Sequence, residues 1–289
     1  MRNRAVVYLK LSPLLLPFAV IFSTGIFLAF LQSLGYFLPI PVQGGLFAAY
    51  RSLFRSLWFY QDFAFTLYCA FCSALLSVSV GTALAYGIWR LPIGLQKIGV
   101  LTKIPLILPH IAVAFIVLMF FSKTGYISSF LFQAGIIESA EEFPPILFGG
   151  RGWGIILAYV YKEVPFVVLL VSSVLKKFEY ARILTAQMLG ASRLTVFFRV
   201  VFPFLTPVVN TSFIILFLYS FGAFDIPFLL GESHPGMLSI QVYNLYFKRD
   251  LMNRPSAMAI LVVMFLFSLV FIYLYSRLAA RLEREGRKL

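Results

Sequence analysis

The sequence predicts an all-α polytopic membrane protein with six transmembrane helices. Of its 289 residues 61% are hydrophobic and 12% charged, more apolar surface than a water-soluble domain of this size can hide, so lipid has to serve as solvent. Nearly uncharged windows of about 20 residues or more, the length that crosses a bilayer as helix, occupy residues 11–35, 63–89, 104–122, 152–175, 204–230 and 256–276. The runs are continuous and do not alternate in the units of about ten residues that a membrane barrel needs. A bilayer offers no water to unpaired backbone groups, so each run is expected to be helical.

Charge sets the expected orientation. With the N-terminus placed in the cytoplasm, the inner segments hold 16 of the 24 lysines and arginines, whereas the outer segments hold only Arg51, Arg55, Lys123, Arg151, Lys248, Arg249 and Arg254. The positive-inside rule then predicts that both termini are cytoplasmic. The formal net charge of +13 is mostly this orientation signal, with an attraction of the inner rim to anionic lipid, and does not indicate nucleic-acid binding.

The elements follow in order. Residues 1–10 are a short basic lead able to lie along the inner surface. The apolar run 11–31 is too long for a signal peptide and lacks an A-x-A-like cleavage site after it, so it is expected to remain as helix 1. Residues 36–62 carry Pro39, Pro41, Gly44 and Gly45, then an aromatic and arginine cluster that predicts a short interfacial helix. Trp58 precedes helix 2, Trp89 ends it and Trp153 opens helix 4, as interfacial tryptophans should. Cys69 and Cys72, at i and i+3 inside helix 2, read as packing residues. The segment 123–151, with Glu138, Glu141, Glu142, Pro144 and Pro145, reads as an exposed external loop. So does 231–254, with Glu232, His234, Pro235, Lys248, Arg249 and Asp250. Both are candidate docking surfaces for an external partner. No solenoid repeat or low-complexity tract interrupts the chain, and a single transmembrane domain, 1–289, is expected.

Between helices 4 and 5, within residues 176–203, lies the stretch LTAQMLGASRLTVFFRVVFP, Leu184 to Pro203. Its helix-favouring first half is broken by Gly190, which permits a turn that larger residues resist, and its apolar, basic second half, Leu194 to Phe202, is expected to end at Pro203. A helix-turn-helix across the inner face is the predicted shape. The spacing from Gly190 to Val200, Phe202 and Pro203 resembles the cytoplasmic EAA loop of ABC importer permeases. The matching residues are Ala186, Gly190, Ala191, Val200 and Pro203. The positions of E-A-A itself are Leu184, Thr185 and Ala186, so the glutamate is missing, and Glu179 lies five residues too early to replace it. Phe197 and Phe198 are candidate apolar anchors by the logic of buried aromatic hot spots. LPHIAVAFIV (108–117), YKEVPF (161–166) and SFGAFDIPFLLG (220–231) are similar to permeases of the polyamine, iron(III), sulfate and phosphonate type.

That resemblance implies a type I ABC importer permease of the bacterial plasma (inner) membrane. The chain would form half of a translocation path, its loop 176–203 seated in an ATP-binding subunit. The implied partners are two such subunits, a second permease, different or identical, and an extracytoplasmic substrate-binding protein. No G-x-x-x-x-G-K-[ST] loop is present, so no ATPase site and no cofactor are expected in this chain, and ATP and Mg belong to the partner subunits. The implied solute is polyamine-like first, with iron(III), phosphonate or another small ion as alternatives.

Charges inside the spans are the remaining candidates. Lys162 and Glu163 lie near the centre of helix 4, where a charge costs roughly 2.5 to 3.5 kcal/mol. Adjacent residues diverge by about 100°, so the two are either pore-facing or paired with other helices. Pro165 removes the hydrogen bond to the Tyr161 carbonyl and is expected to bend the helix. Gly222, Asp225 and Pro227 suggest a break in helix 5, where Asp225 would either cap the break or draw a cation into the path. His110 reads as an interfacial or packing residue. The same charges motivate an alternative, an ion-gradient-driven secondary carrier, although the paired inverted repeats of such carriers are not evident. An intramembrane enzyme lacks its motifs.

Overall fold

The computed structural model describes residues 2–37, 45–92, 94–232 and 234–286, with side chains between Lys10 and Arg281. Pro39, Pro41, Gly44, Arg287 and Lys288 lie outside the described residues. All regular elements among the described residues are helical. Six spans there are long and apolar enough to cross a membrane: Lys10–Ser33, Leu57–Arg90, His110–Gln133, Trp153–Leu175, Arg193–Gly222 and Leu251–Arg281.

In chain order the helices are α1 (Arg2–Ser33), α2 (Ala48–Arg55), α3 (Leu57–Arg90), α4 (Ile104–Ile107), α5 (His110–Phe121), α6 (Tyr126–Gln133) and α7 (Trp153–Leu175). After these come α8 (Ala181–Met188), α9 (Arg193–Val196), α10 (Phe202–Gly222), α11 (Asp225–Leu230), α12 (Leu238–Tyr243) and α13 (Arg254–Gly286). A 3-10 segment, Leu95–Lys103, precedes α4.

Several boundaries differ from the sequence reading. The window 104–122 is interrupted, because Leu108 is extended (ψ 135°) before Pro109 (ψ 149°), and a residue preceding proline is pushed out of the helical region. The segment 123–151 is not all loop: α6 continues the third span, and Phe143 and Leu147 are buried. The segment 231–254 is mostly helical, with Met237 and Leu238 fully buried. The break in helix 5 lies at Ala223 and Phe224. Helix continues through Pro165.

The chain divides into two compact units, Met1–Tyr60 with Ile240–Phe267, and Gln61–Ser239 with Ser268–Leu289. In the first, the window of α1 that could cross a membrane has no buried residue. Phe22 meets Phe265 edge to face at 6.3 Å, and Ser33 shares a 2.6 Å hydrogen bond with the Tyr50 hydroxyl of α2.

In the second unit α7 is central, with Ile155, Tyr159, Val167, Val171 and Leu175 buried, while Leu157, Tyr161 and Leu169 leave one stripe of the helix exposed. α3 meets it through small residues: Ala70, Ala74, Ser77 and Ala85 are fully buried, and Gly81 lets the backbones approach closely. A Cβ on Gly81 would lie 2.6 Å from the Val167 Cβ. Gly81→Val should therefore cost about 1 to 3 kcal/mol by overpacking and lower the thermal midpoint in detergent. Gly87→Ala, with nothing within 4 Å, should leave that midpoint unchanged or slightly raised. Equal midpoints for the two variants would disprove the close contact.

The start of α12 is fixed by side chains of α3. Asp62 accepts from the Gly236 N–H at 2.8 Å, and the Thr66 hydroxyl accepts from Leu238 N–H at 2.9 Å. Buried backbone donors need such partners, which is why a polar loop composition here accompanies an ordered, buried segment.

Candidate functional site

The 176–203 segment is built from two short helices and one glycine. Phe178 and Ile183 are buried and hold α8 to the protein. At its end Gly190 takes φ +84°, the left-handed region that glycine occupies at least cost. The Ala191 N–H donates to the Ala186 carbonyl at 3.0 Å, and the Gly190 N–H to the Gln187 carbonyl at 2.9 Å. This is the paired 6→1 and 5→2 pattern of a Schellman cap. Two residues on, the Ser192 hydroxyl accepts from the Thr195 N–H at 3.2 Å and caps α9. Gly190 thus closes one helix as Ser192 opens the next.

Beyond α9 the helical run does not end at Pro203, where the sequence reading placed its end. It passes through a π-helical turn, Phe197–Val201, directly into α10, where Pro203 sits in the first turn. A proline ring lacks the N–H and crowds the carbonyl four residues back, and the wider π turn relieves that conflict.

The sequence candidates separate into an inner and an outer set. Phe197 packs inward, its ring 4.8 Å from Tyr86 of α3, and Ala191 and Val200 are half-buried. Thr185 donates to the Ala181 carbonyl at 3.0 Å. Leu184 and Phe198 point outward, 45% and 61% exposed. Sequence reasoning missed the three most exposed apolar side chains of this segment: Met188 at 87%, Leu189 at 83% and Leu194 at 72%. Their signal was two bulky apolar residues immediately before a turn glycine, where a solvated loop would carry polar ones. Glu179 pairs with Arg182 at 3.2 Å, both exposed, a contact worth little by itself, and it does not supply the missing glutamate.

The intramembrane charges of α7 diverge as their positions require. Lys162 Nζ donates to the carbonyls of Pro105 (2.8 Å), Leu106 (3.0 Å) and Leu108 (2.5 Å). These lie at the end of α4, where a helix leaves carbonyls without partners and favours a cation. Glu163 turns to the other side, accepting from Ser77 of α3 at 2.9 Å and from Ser220 of α10 at 2.5 Å. Lys162 and Glu163 are 7% and 3% exposed. One residue pair therefore ties α7 to three neighbours, and Pro165 lies one turn further along.

Asp225 stands apart from them. It is the first residue of α11 and exposed, while the cap position is taken by Phe224 with no side-chain cap bond, so the capping role considered for it is not what its geometry shows. Nearby His110 opens α5, its ring 5.1 Å from that of Tyr219. Two helix breaks, at Leu108–Pro109 and at Ala223–Phe224, thus accompany an exposed carboxylate and a half-buried imidazole.

Comparison with known proteins adds a lineage to this geometry. The family described as "Binding-protein-dependent transport system inner membrane component" matches residues 96–284. The chain is 26% identical over 224 residues to the sulfate transport system permease protein CysT of Salmonella typhimurium, covering 76% of each chain. It is 29% identical over 113 residues to the spermidine/putrescine transport system permease protein PotB of Escherichia coli, covering 39% of each. A crystal structure of a bacterial ABC transporter that imports the acidic polysaccharide alginate contains a chain of the same fold. That chain has TM-score 0.79 and 19% identity, over 97% of this chain and 96% of the other.

Proposed function

Because the chain belongs to the family of binding-protein-dependent transport system inner membrane components and is a multi-pass permease component of that kind of ABC importer, we propose that it forms half of a translocation path worked by ATP-binding partner subunits. The observation that carries this reading is the exposed apolar crest around Gly190, formed by Leu184, Met188, Leu189, Leu194 and Phe198. A patch of that kind marks a protein-binding surface, and here the inward-packed Phe197 connects it to α3. Two ATP-binding subunits would hold ATP and Mg and move the crest. A second permease, different or identical, would complete the path, and an extracytoplasmic binding protein would deliver the solute. The asymmetry of basic residues supports cytoplasmic termini and a cytoplasmic crest, in a bacterial inner membrane.

Within that frame the solute is a small cation of the polyamine class. Supporting it are the likeness to a spermidine/putrescine permease and the exposed Asp225 carboxylate just past the fifth span, at the α10–α11 break, where a negative charge attracts a cation. Cells expressing the complete system should take up radiolabelled spermidine in an ATP-dependent manner. Asp225→Asn should reduce that uptake at least about 10-fold, the loss of roughly 1.4 kcal/mol of favourable interaction, at an unchanged level of the chain. Uptake of sulfate, unaffected by Asp225→Asn, would replace the cation with an anion. Uptake that survives ATPase inhibition and collapses with the ion gradient would replace the importer with a carrier.

A further inference from the structure

A cavity of about 380 Å³ opens between the ends of α3 and α7 and the 3-10 segment Leu95–Lys103. Two exposed lysines from separate elements, Lys103 and Lys176, line it together with Gln96 and Ser172. Gln96 is held in place, its Nε2 donating to the carbonyls of Trp89 (3.2 Å) and Leu91 (3.0 Å). Apart from a second hydroxyl, Ser173, the rest of the wall is mostly apolar, with Val100, Val168 and Leu169 on it. No acidic side chain is among the described residues that line it. Along α7 the cavity reaches from Lys176, just past the helix end, back to Pro165, about 16 Å of helix rise.

This combination specifies an occupant. Two cations facing one cavity call for an anion, and the apolar wall running inward along a membrane-spanning helix calls for hydrocarbon below it. We infer that the cavity seats an anionic phospholipid, its phosphate held by Lys103 and Lys176 and the first part of its acyl chains laid along Val168 and Leu169. Basic pockets between spanning helices bind anionic headgroups in this way, and lysine stems can lie on apolar surface while their ammonium groups reach the phosphate. Trp89, which lines the same cavity, is at the end of α3, where a tryptophan marks the interface. Its ring also lies 6.0 Å from those of Phe178 and Tyr180, immediately before α8, so a bound lipid touches a residue in contact with the Gly190 segment.

Trp89 provides the measurement. The chain has three tryptophans, so Trp58→Phe and Trp153→Phe leave Trp89 as the only one in the full-length protein. In phosphatidylcholine nanodiscs its fluorescence should be quenched by dibrominated phosphatidylglycerol at a far lower mole fraction than by dibrominated phosphatidylcholine. A lysine near an anionic headgroup is worth about 5-fold in affinity, so Lys103→Gln with Lys176→Gln should weaken the phosphatidylglycerol effect roughly 25-fold. Lys97→Gln, an exposed lysine outside the cavity, should leave it unchanged, as should millimolar inorganic phosphate. An unchanged thermal midpoint of the double variant excludes misfolding as the cause. Equal quenching by the two lipids, or an equal loss with Lys97→Gln, overturns the site. Relief of quenching by inorganic phosphate overturns the lipid in favour of a free phosphate anion.

Discussion

Replacing Met188 and Leu189 together with aspartate is expected to abolish recovery of an ATP-binding subunit with this chain while leaving the amount of chain in the membrane unchanged. The two side chains are 87% and 83% exposed, so the protein itself does not lose packing when they change. In a docked complex each would bury an apolar side chain worth about 1.5 to 3 kcal/mol, and central apolar contacts of this kind dominate interfaces. Losing both exceeds about 3 kcal/mol, more than 100-fold in affinity. The measurement is quantitative mass spectrometry of what co-purifies in mild detergent. Undiminished recovery of the ATP-binding subunit would place the docking surface elsewhere. Gly190→Pro tests the same surface through the backbone. It removes the N–H that closes α8 on Gln187 and forbids φ +84°, so the same partner should be lost although the crest keeps every side chain.

Lys162→Met should lower the thermal midpoint of the purified protein by about 6 °C. Three carbonyls at the end of α4 lose their shared donor, at roughly 1 kcal/mol each, and for a protein of this size about 1 kcal/mol corresponds to about 2 °C. Glu163→Gln is the milder change, since an amide oxygen can still accept from Ser77 or Ser220. This experiment separates the two roles open to Lys162. A fallen midpoint identifies a latch that holds the α4–α5 break against α7, and unchanged stability with reduced uptake identifies a group in the path.

Much of the fold was legible because it is a matter of local chain against bilayer. Six apolar stretches long enough to cross a membrane can be counted without knowing what each one touches, and the described residues contain six such spans. The interruption at Leu108–Pro109 was visible only as a proline. A hydropathy window sums transfer energies and does not register backbone geometry, so 104–122 read as one helix. α6 and α12 were hidden for the converse reason: acidic, proline-bearing or otherwise polar neighbours made their segments read as solvated, although Phe143, Met237 and Leu238 are buried. The Gly190 turn was readable because glycine is the residue that takes positive φ at least cost. The crest beside it was not, since an apolar side chain near a turn can face inward, as Phe197 does, or outward, as Phe198 does one residue later.

The sequence by itself determined an all-helical chain with six apolar spans and a glycine-centred turn before the fifth, because hydrophobic length and glycine's conformational freedom are properties of short stretches. Only the tertiary structure decided where the charges go. A helix assigns Lys162 and Glu163 directions about 100° apart but no neighbours. Their partners lie 54 to 57 positions away for the lysine and 57 and 86 for the glutamate, and packing had to bring the α4 carbonyls, Ser77 and Ser220 to them before the cost of burying either charge could be met.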